Sequence, residues 1–140
     1  MTNRINIFLI LLTLSFGTAA QTATKTFTKA FNTDGKGITI LNLPGTIDLR
    51  TWDGPSVRLE ITISLPSGNG SMLNELANIG RYNLVAKPEG DALVITAPNL
   101  QKQIKVKGEE LREVFNFVVF APKSMKVEAP TLGALADIKK

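Results

Sequence analysis

Carboxylates are the remaining catalytic option in this chain. There is no histidine and no cysteine among the 140 residues. That removes the usual base near neutral pH, the commonest metal ligand, and the usual zinc and iron–sulfur sites. Hydrolysis by two carboxyl groups needs them about 5–9 Å apart across a cleft. Asp48 and Glu60 are the one pair that the pattern brings near each other, on adjoining predicted strands but on the face expected to be wet. Asp34-Gly35 and Asp53-Gly54 stand where turns need them, and no run has the Asp-x-Asp-x-Asp-Gly form of a calcium loop. No Ser-x-x-Lys or Gly-x-Ser-x-Gly occurs, and no lysine follows Gly68-Asn69-Gly70 at phosphate-loop spacing. Asn69-Gly70-Ser71 matches a glycosylation sequon, a pattern short enough to arise by chance. No catalytic residue, metal ligand or cofactor is therefore assigned. A small carboxylate-dependent hydrolase is kept as the alternative to a non-enzymatic role.

The remaining candidate is a binding surface at the interruption Trp52-Asp53-Gly54-Pro55. Trp52 can either fold back on its own turn or stand out as an anchor, and burial of a large apolar ring favours the first. Trp52, Asp53 and the nearby Arg58 form the candidate binding surface. The alternation on either side suggests a hairpin with Leu49 opposite Val57, Ile47 opposite Leu59 and Asp48 opposite Arg58. This leaves a three-residue loop with Gly54 at the position that needs positive φ.

The elements that must carry these residues read mostly with period two. Val57, Leu59, Ile61, Ile63 and Leu65 alternate with Ser56, Arg58, Glu60, Thr62 and Ser64, which is a strand with one wet face. Shorter strands are expected around Thr24–Phe31, Ile38–Ile40, Ile47–Leu49, Met125–Ala129 and Leu132–Ile138. Tyr82–Lys87 and Ala92–Ala97 flank Pro88-Glu89-Gly90-Asp91 as a hairpin, with the proline setting the first turn residue. Gln101–Lys107 and Leu111–Ala121 flank Gly108-Glu109-Glu110 as another. Phe115, Phe117 and Val119 face one way and Val118 and Phe120 the other, the mark of a central strand covered on both sides. Only Ser71–Ile79 reads as a helix: Ser71 can cap it, Met72, Leu73, Leu76 and Ile79 have helical spacing, and Gly80 can end it. So short a helix must lie on a sheet. The fold class is all-β, a mostly antiparallel β-sandwich or short solenoid-like sheet with one short α-helix at about residues 71–79.

Residues 1–20 have the layout of a secretory signal peptide. Arg4 precedes an apolar run from Ile5 to Phe16, and Thr18-Ala19-Ala20 supplies small residues for cleavage between Ala20 and Gln21. The run is shorter than the roughly 20 residues needed to span a bilayer. A single β-rich domain is expected over residues 21–140, with no transmembrane segment in the mature chain. Arg4 is the one charged residue of the leader, so its loss lowers the formal charge from +4 to +3. That small excess is dispersed. Its densest cluster, Lys102, Lys105 and Lys107, is followed at once by Glu109, Glu110 and Glu113. Lys105 and Lys107 would share one solvated strand face, with an anionic-ligand patch as the alternative, and nucleic acid is not expected as a partner.

Two stretches resemble a class of bacterial exported β-proteins described as adhesin-like, with β-solenoid head domains and mostly of unknown function. They are Gly45–Gly54 leading into Val57–Ile61, and Phe117–Pro122 leading into Met125–Ala129. The resemblance covers about a quarter of the mature chain. It implies an all-β fold, an envelope or surface location in the periplasm or outside the cell, and an envelope or surface partner, and it carries no catalytic residues. In that class the second stretch opens a series of short Gly-x-Ile-x-Ile-like repeats. Here only Gly133-Ala134-Leu135-Ala136-Asp137-Ile138 stands in that place.

Overall fold

The computed structural model describes residues 22–130 except 36, 67 and 68. The expected cleavage site at Ala20 and Gln21 and the expected strand at Leu132–Ile138 lie outside the described residues. Alternation in the sequence becomes alternation in burial. In β4 (Ser56–Leu65) every second residue from Val57 to Leu65 is buried, and Arg58, Glu60, Thr62 and Ser64 are half-exposed. β4 lies in a four-stranded sheet, sheet A, in the order β1-β4-β9-β3, with β1 at Ala23–Asn32, β3 at Thr46–Trp52 and β9 at Val114–Pro122. Sheet B has the order β10-β2-β6-β5, with β2 at Ile38–Asn42, β5 at Val85–Glu89, β6 at Ala92–Thr96 and β10 at Lys126–Glu128. Leu41 and Ile95 from sheet B join Leu59, Ile61, Phe117 and Val119 from sheet A in one buried cluster, to which Leu73 and Leu76 of helix α1 (Gly70–Asn78) also belong.

The all-β class and the single α-helix among the described residues agree with the expectation. The pairing is mixed. β1–β4, β4–β9 and β5–β6 are antiparallel, whereas β3–β9, β2–β6 and β10–β2 are parallel. The expected β3–β4 hairpin does not form, because β9 lies between the two strands. Asp48 is opposite Val118 on one side, and Arg58 is opposite Phe120. Leu49, expected opposite Val57, is instead opposite Val119 and is 43% exposed on β3, an edge strand of its sheet.

The turns explain the remaining differences. The helix is capped by Asn69, whose Oδ1 accepts a hydrogen bond from the Met72 N–H at 2.8 Å, rather than by Ser71. At the other end Gly80 has φ +80°. Its N–H and that of Arg81 bond back to the carbonyls of Ala77 and Leu76, a Schellman ending that leaves Ile79 at the cap and 75% exposed. In the β5–β6 hairpin Pro88 is in the strand opposite Leu93, and the two-residue turn is Gly90-Asp91, with positive φ at Gly90. The second expected hairpin shrinks to a ribbon of β7 (Lys105–Val106) and β8 (Glu109–Glu110), turning at Lys107-Gly108 with positive φ at both. Lys105 faces Glu110 across that ribbon and Lys107 is in the turn, so the lysines do not share a strand face.

Candidate binding face

The parallel partnership of β3 with β9 and the antiparallel partnership of β9 with β4 place three outward columns side by side. Arg50, Phe120 and Arg58 are in register, and so are Asp48, Val118 and Glu60 two residues along. Thr46, Asn116, Thr62 and Thr26 make the next row, with the Thr26 and Thr62 hydroxyls 2.9 Å apart. The inner side of β9 carries Phe117 and Val119 into the core. Its outer side was expected to be covered by another layer. Among the described residues its cover comes from the same sheet: Val118 and Phe120 are half-buried, and Arg50, Arg58 and Trp52 lie around the Phe120 ring.

The two guanidinium groups sit on either side of the Phe120 ring, with Arg50 Cζ 5.8 Å and Arg58 Cζ 5.6 Å from its centroid. This distance suits cation–π attraction. Each is also held by the carboxylate two residues away on its own strand. Arg50 Nε and Nη2 donate to Asp48 Oδ2 at 3.1 and 2.8 Å, and Arg58 Nη2 donates to Glu60 Oε1 at 2.8 Å. Both pairs are open to solvent. Asp48 and Glu60 are thus separated by the whole of β9, roughly 9–10 Å at the backbone. They lie on an open face, and each is occupied by an arginine. This is not a facing pair across a cleft.

Trp52 closes one end of the face. Its ring is 6.0 Å from that of Phe120, and its Nε1 donates to the Ser56 carbonyl at 2.9 Å. The ring folds over Gly54 so closely that a Cβ there would lie 2.5 Å from the indole. Gly54 does not have positive φ, contrary to the turn expected from the sequence. Its missing side chain makes room for Trp52. Of the three residues singled out in the sequence, Trp52 and Arg58 meet around Phe120. Asp53 is in the turn, where Lys123 Nζ lies 3.0 Å from its Oδ1. Phe120 and Arg50 were not singled out. The outward direction of Phe120 was legible, but its position between two arginines depends on which strands pair.

A second polar cluster is internal. Arg81 and Glu113 pair at 2.6 Å with side chains only 6% and 3% exposed. Arg81 Nη1 also donates to the carbonyls of Asn99 and Lys102, and Asn99 Nδ2 donates to the Gly80 carbonyl. Among the described residues, Arg81 Nε, Tyr82 Oη and Glu113 Oε2 are buried without hydrogen-bond partners. Burial first, and the Glu113 carboxylate next, push the Tyr82 phenol well above its ordinary pKa. The cluster joins the helix end, the 3₁₀ turn at Pro98–Gln101 and the approach to β9. An open groove of about 770 Å³ lies between the helix start and the β7–β8 ribbon, lined by Leu65, Met72, Val106 and Leu111 among others. Neither Asp48 nor Glu60 lines it. Among the described residues no group of three or more acidic side chains gathers as a metal site, and no helix is long and apolar enough to cross a membrane.

No protein-family model matches the chain, and no curated protein matches it. Among solved structures, a protein from Parabacteroides merdae ATCC 43184 described as "a putative adhesin" is similar, with a TM-score of 0.36 and 19% identity. The match covers 75% of this chain and 35% of that one, so the chain spans about a third of that protein's length.

Proposed function

We propose that the chain is an exported, non-enzymatic β-domain, residues 21–140 after loss of the leader, with a binding or structural role in the cell envelope. Its binding surface is the outer face of sheet A, and its location is the periplasm or the cell surface. The observation that carries this reading is Phe120. It is a large apolar ring on the outward side of a central strand, flanked by two arginines and, among the described residues, covered by no other layer. Aromatic and arginine side chains are the types enriched where surfaces bind. The leader-like residues 1–20 support export. The hydrolase alternative has no support from Asp48 and Glu60, which are kept apart by β9.

The test has two parts. Intact mass of the protein recovered from its host is expected to begin at Gln21, and retention of Met1–Ala20 would overturn the export claim. The double substitution Arg50→Ala with Arg58→Ala is expected to leave the fold intact while abolishing co-purification of the envelope partner. Undiminished co-purification would remove this face as the binding surface.

A further inference from the structure

The charge pattern of the same face points to its occupant: we infer that it pairs with a second copy of itself. This inference rests on the reading of the outer face of sheet A as a binding surface and names the partner. The face carries a row of two cations, Arg50 and Arg58, on either side of Phe120. Parallel to it runs a row of two anions, Asp48 and Glu60, on either side of Val118. The rows are about 6.6–6.8 Å apart along the strands, and the columns within a row about 9–10 Å apart.

Only one simple two-fold arrangement of two such faces is electrostatically favourable. An axis running across the strands between the two rows sets Arg50 against Asp48 of the second copy and Arg58 against its Glu60. It also places Phe120 over Val118 at the centre. An axis along the strands would instead set Arg50 against Arg58 and Asp48 against Glu60. The favoured arrangement is isologous, as closed dimers are. It has an apolar centre on β9 and a charged surround from β3 and β4, the usual layout of an interface. The four strands offer on the order of 500 Å² per copy, at the small end of specific interfaces. The association is therefore reversible and concentration-dependent, and added salt weakens it.

Charge reversal tests this directly by sedimentation velocity on the protein purified from the cells that express it. One variant, D48K/E60K, makes the face wholly basic, and a second, R50E/R58E, makes it wholly acidic. The wild type is expected to dimerise with rising concentration. Each variant alone is expected to associate at least about tenfold more weakly, since like charges then face each other. An equimolar mixture of the two is expected to form a one-to-one heterodimer. Association through the leader or another surface would be indifferent to these charges. A wild type that stays monomeric throughout, or variants that dimerise alone as well as the wild type, would overturn the proposal. So would a mixture that fails to associate while circular dichroism shows both variants folded. Cross-linking from position 120 in cells separates this failure from failure of the underlying reading. A different envelope protein captured there refutes self-pairing but keeps the face as a binding surface, and no capture refutes both.

Discussion

The molecule uses an arginine, a carboxylate and an aromatic ring together in two places, with opposite consequences. On the outer face of sheet A, Arg50 and Arg58 pair with Asp48 and Glu60 beside Phe120, in contact with water. At the helix end, Arg81 pairs with Glu113 beside Tyr82, out of contact with it. An exposed pair of this kind contributes about 0–1 kcal/mol, because water competes for both ions. Removing one partner of a buried pair costs about 3–5 kcal/mol, because the other charge is left without solvent. The same chemistry therefore serves the fold where it is buried and is free to serve recognition where it is exposed.

The buried cluster is where the largest effect is expected. Arg81→Met strands the Glu113 carboxylate and removes the links to Asn99 and Lys102, and it should destabilise by about 3–5 kcal/mol in chemical denaturation. Adding Glu113→Leu should recover much of that loss, since the double change leaves no buried charge. A single variant as stable as the wild type would mean that the pair is not sealed from water. Nearby, Leu76→Ala should cost about 2–5 kcal/mol because it empties a buried position between the helix and the sheet. A loss below about 0.5 kcal/mol would mean that the helix is not packed on the core.

At the end of the exposed face, Gly54→Ala should cost about 1–3 kcal/mol, since its new methyl group meets the Trp52 ring. The cost should largely vanish in a Trp52→Ala background, where the ring is gone. Equal costs in both backgrounds would show that Gly54 is needed for its backbone rather than for the ring. Trp52→Ala alone should lower stability, and intact stability with lost partner binding would instead make Trp52 the anchor.

Tyr82 gives the comparison a pH axis. Its folded pKa is raised, so the folded state keeps its proton when the unfolded state has released it. Stability from this group is therefore present below the unfolded value near 10 and is lost as pH rises beyond it. Because the chain has one tyrosine, the ultraviolet absorbance of tyrosinate should rise only with unfolding at alkaline pH. Tyrosinate formed in the folded protein near pH 10 would show that the phenol is reached by solvent. The smallest effect is expected from Arg50→Ala, about 0–1 kcal/mol, because its pair with Asp48 is exposed.

Local pattern was legible in the sequence, and partnership was not. Alternation from Val57 to Leu65 gave the buried face of β4 residue by residue, and the helical spacing of Leu73 and Leu76 gave the buried face of the helix. Gly80 was legible as a stop because few other residues tolerate its φ. The strand order was not legible. Ile47–Leu49 and Val57–Leu65 are neighbours in sequence, so a hairpin was the default, yet β9, which begins only at Val114, sits between them. Nothing in a strand's own alternation says which distant strand lies beside it. The candidate face shares that limit. Arg58 could be picked out beside Trp52, but Arg50 and Phe120 gain their meaning only from the register of β9 with β3 and β4. The internal pair was hidden for a related reason: Arg81 and Glu113 are polar residues in irregular segments, where exposure is the ordinary expectation.

The proposed meeting place of the protein and its partner is the arginine–aromatic face around Phe120. The most direct measurement is site-specific photo-cross-linking in living cells, with the reactive group placed at position 120 and, as a control, at position 79. Ile79 is more exposed than Phe120 but stands at the helix end, away from the face. A discrete cross-linked species is expected from position 120 and none from position 79. Cross-linking from 79 but not from 120, or the same diffuse products from both, would contradict it.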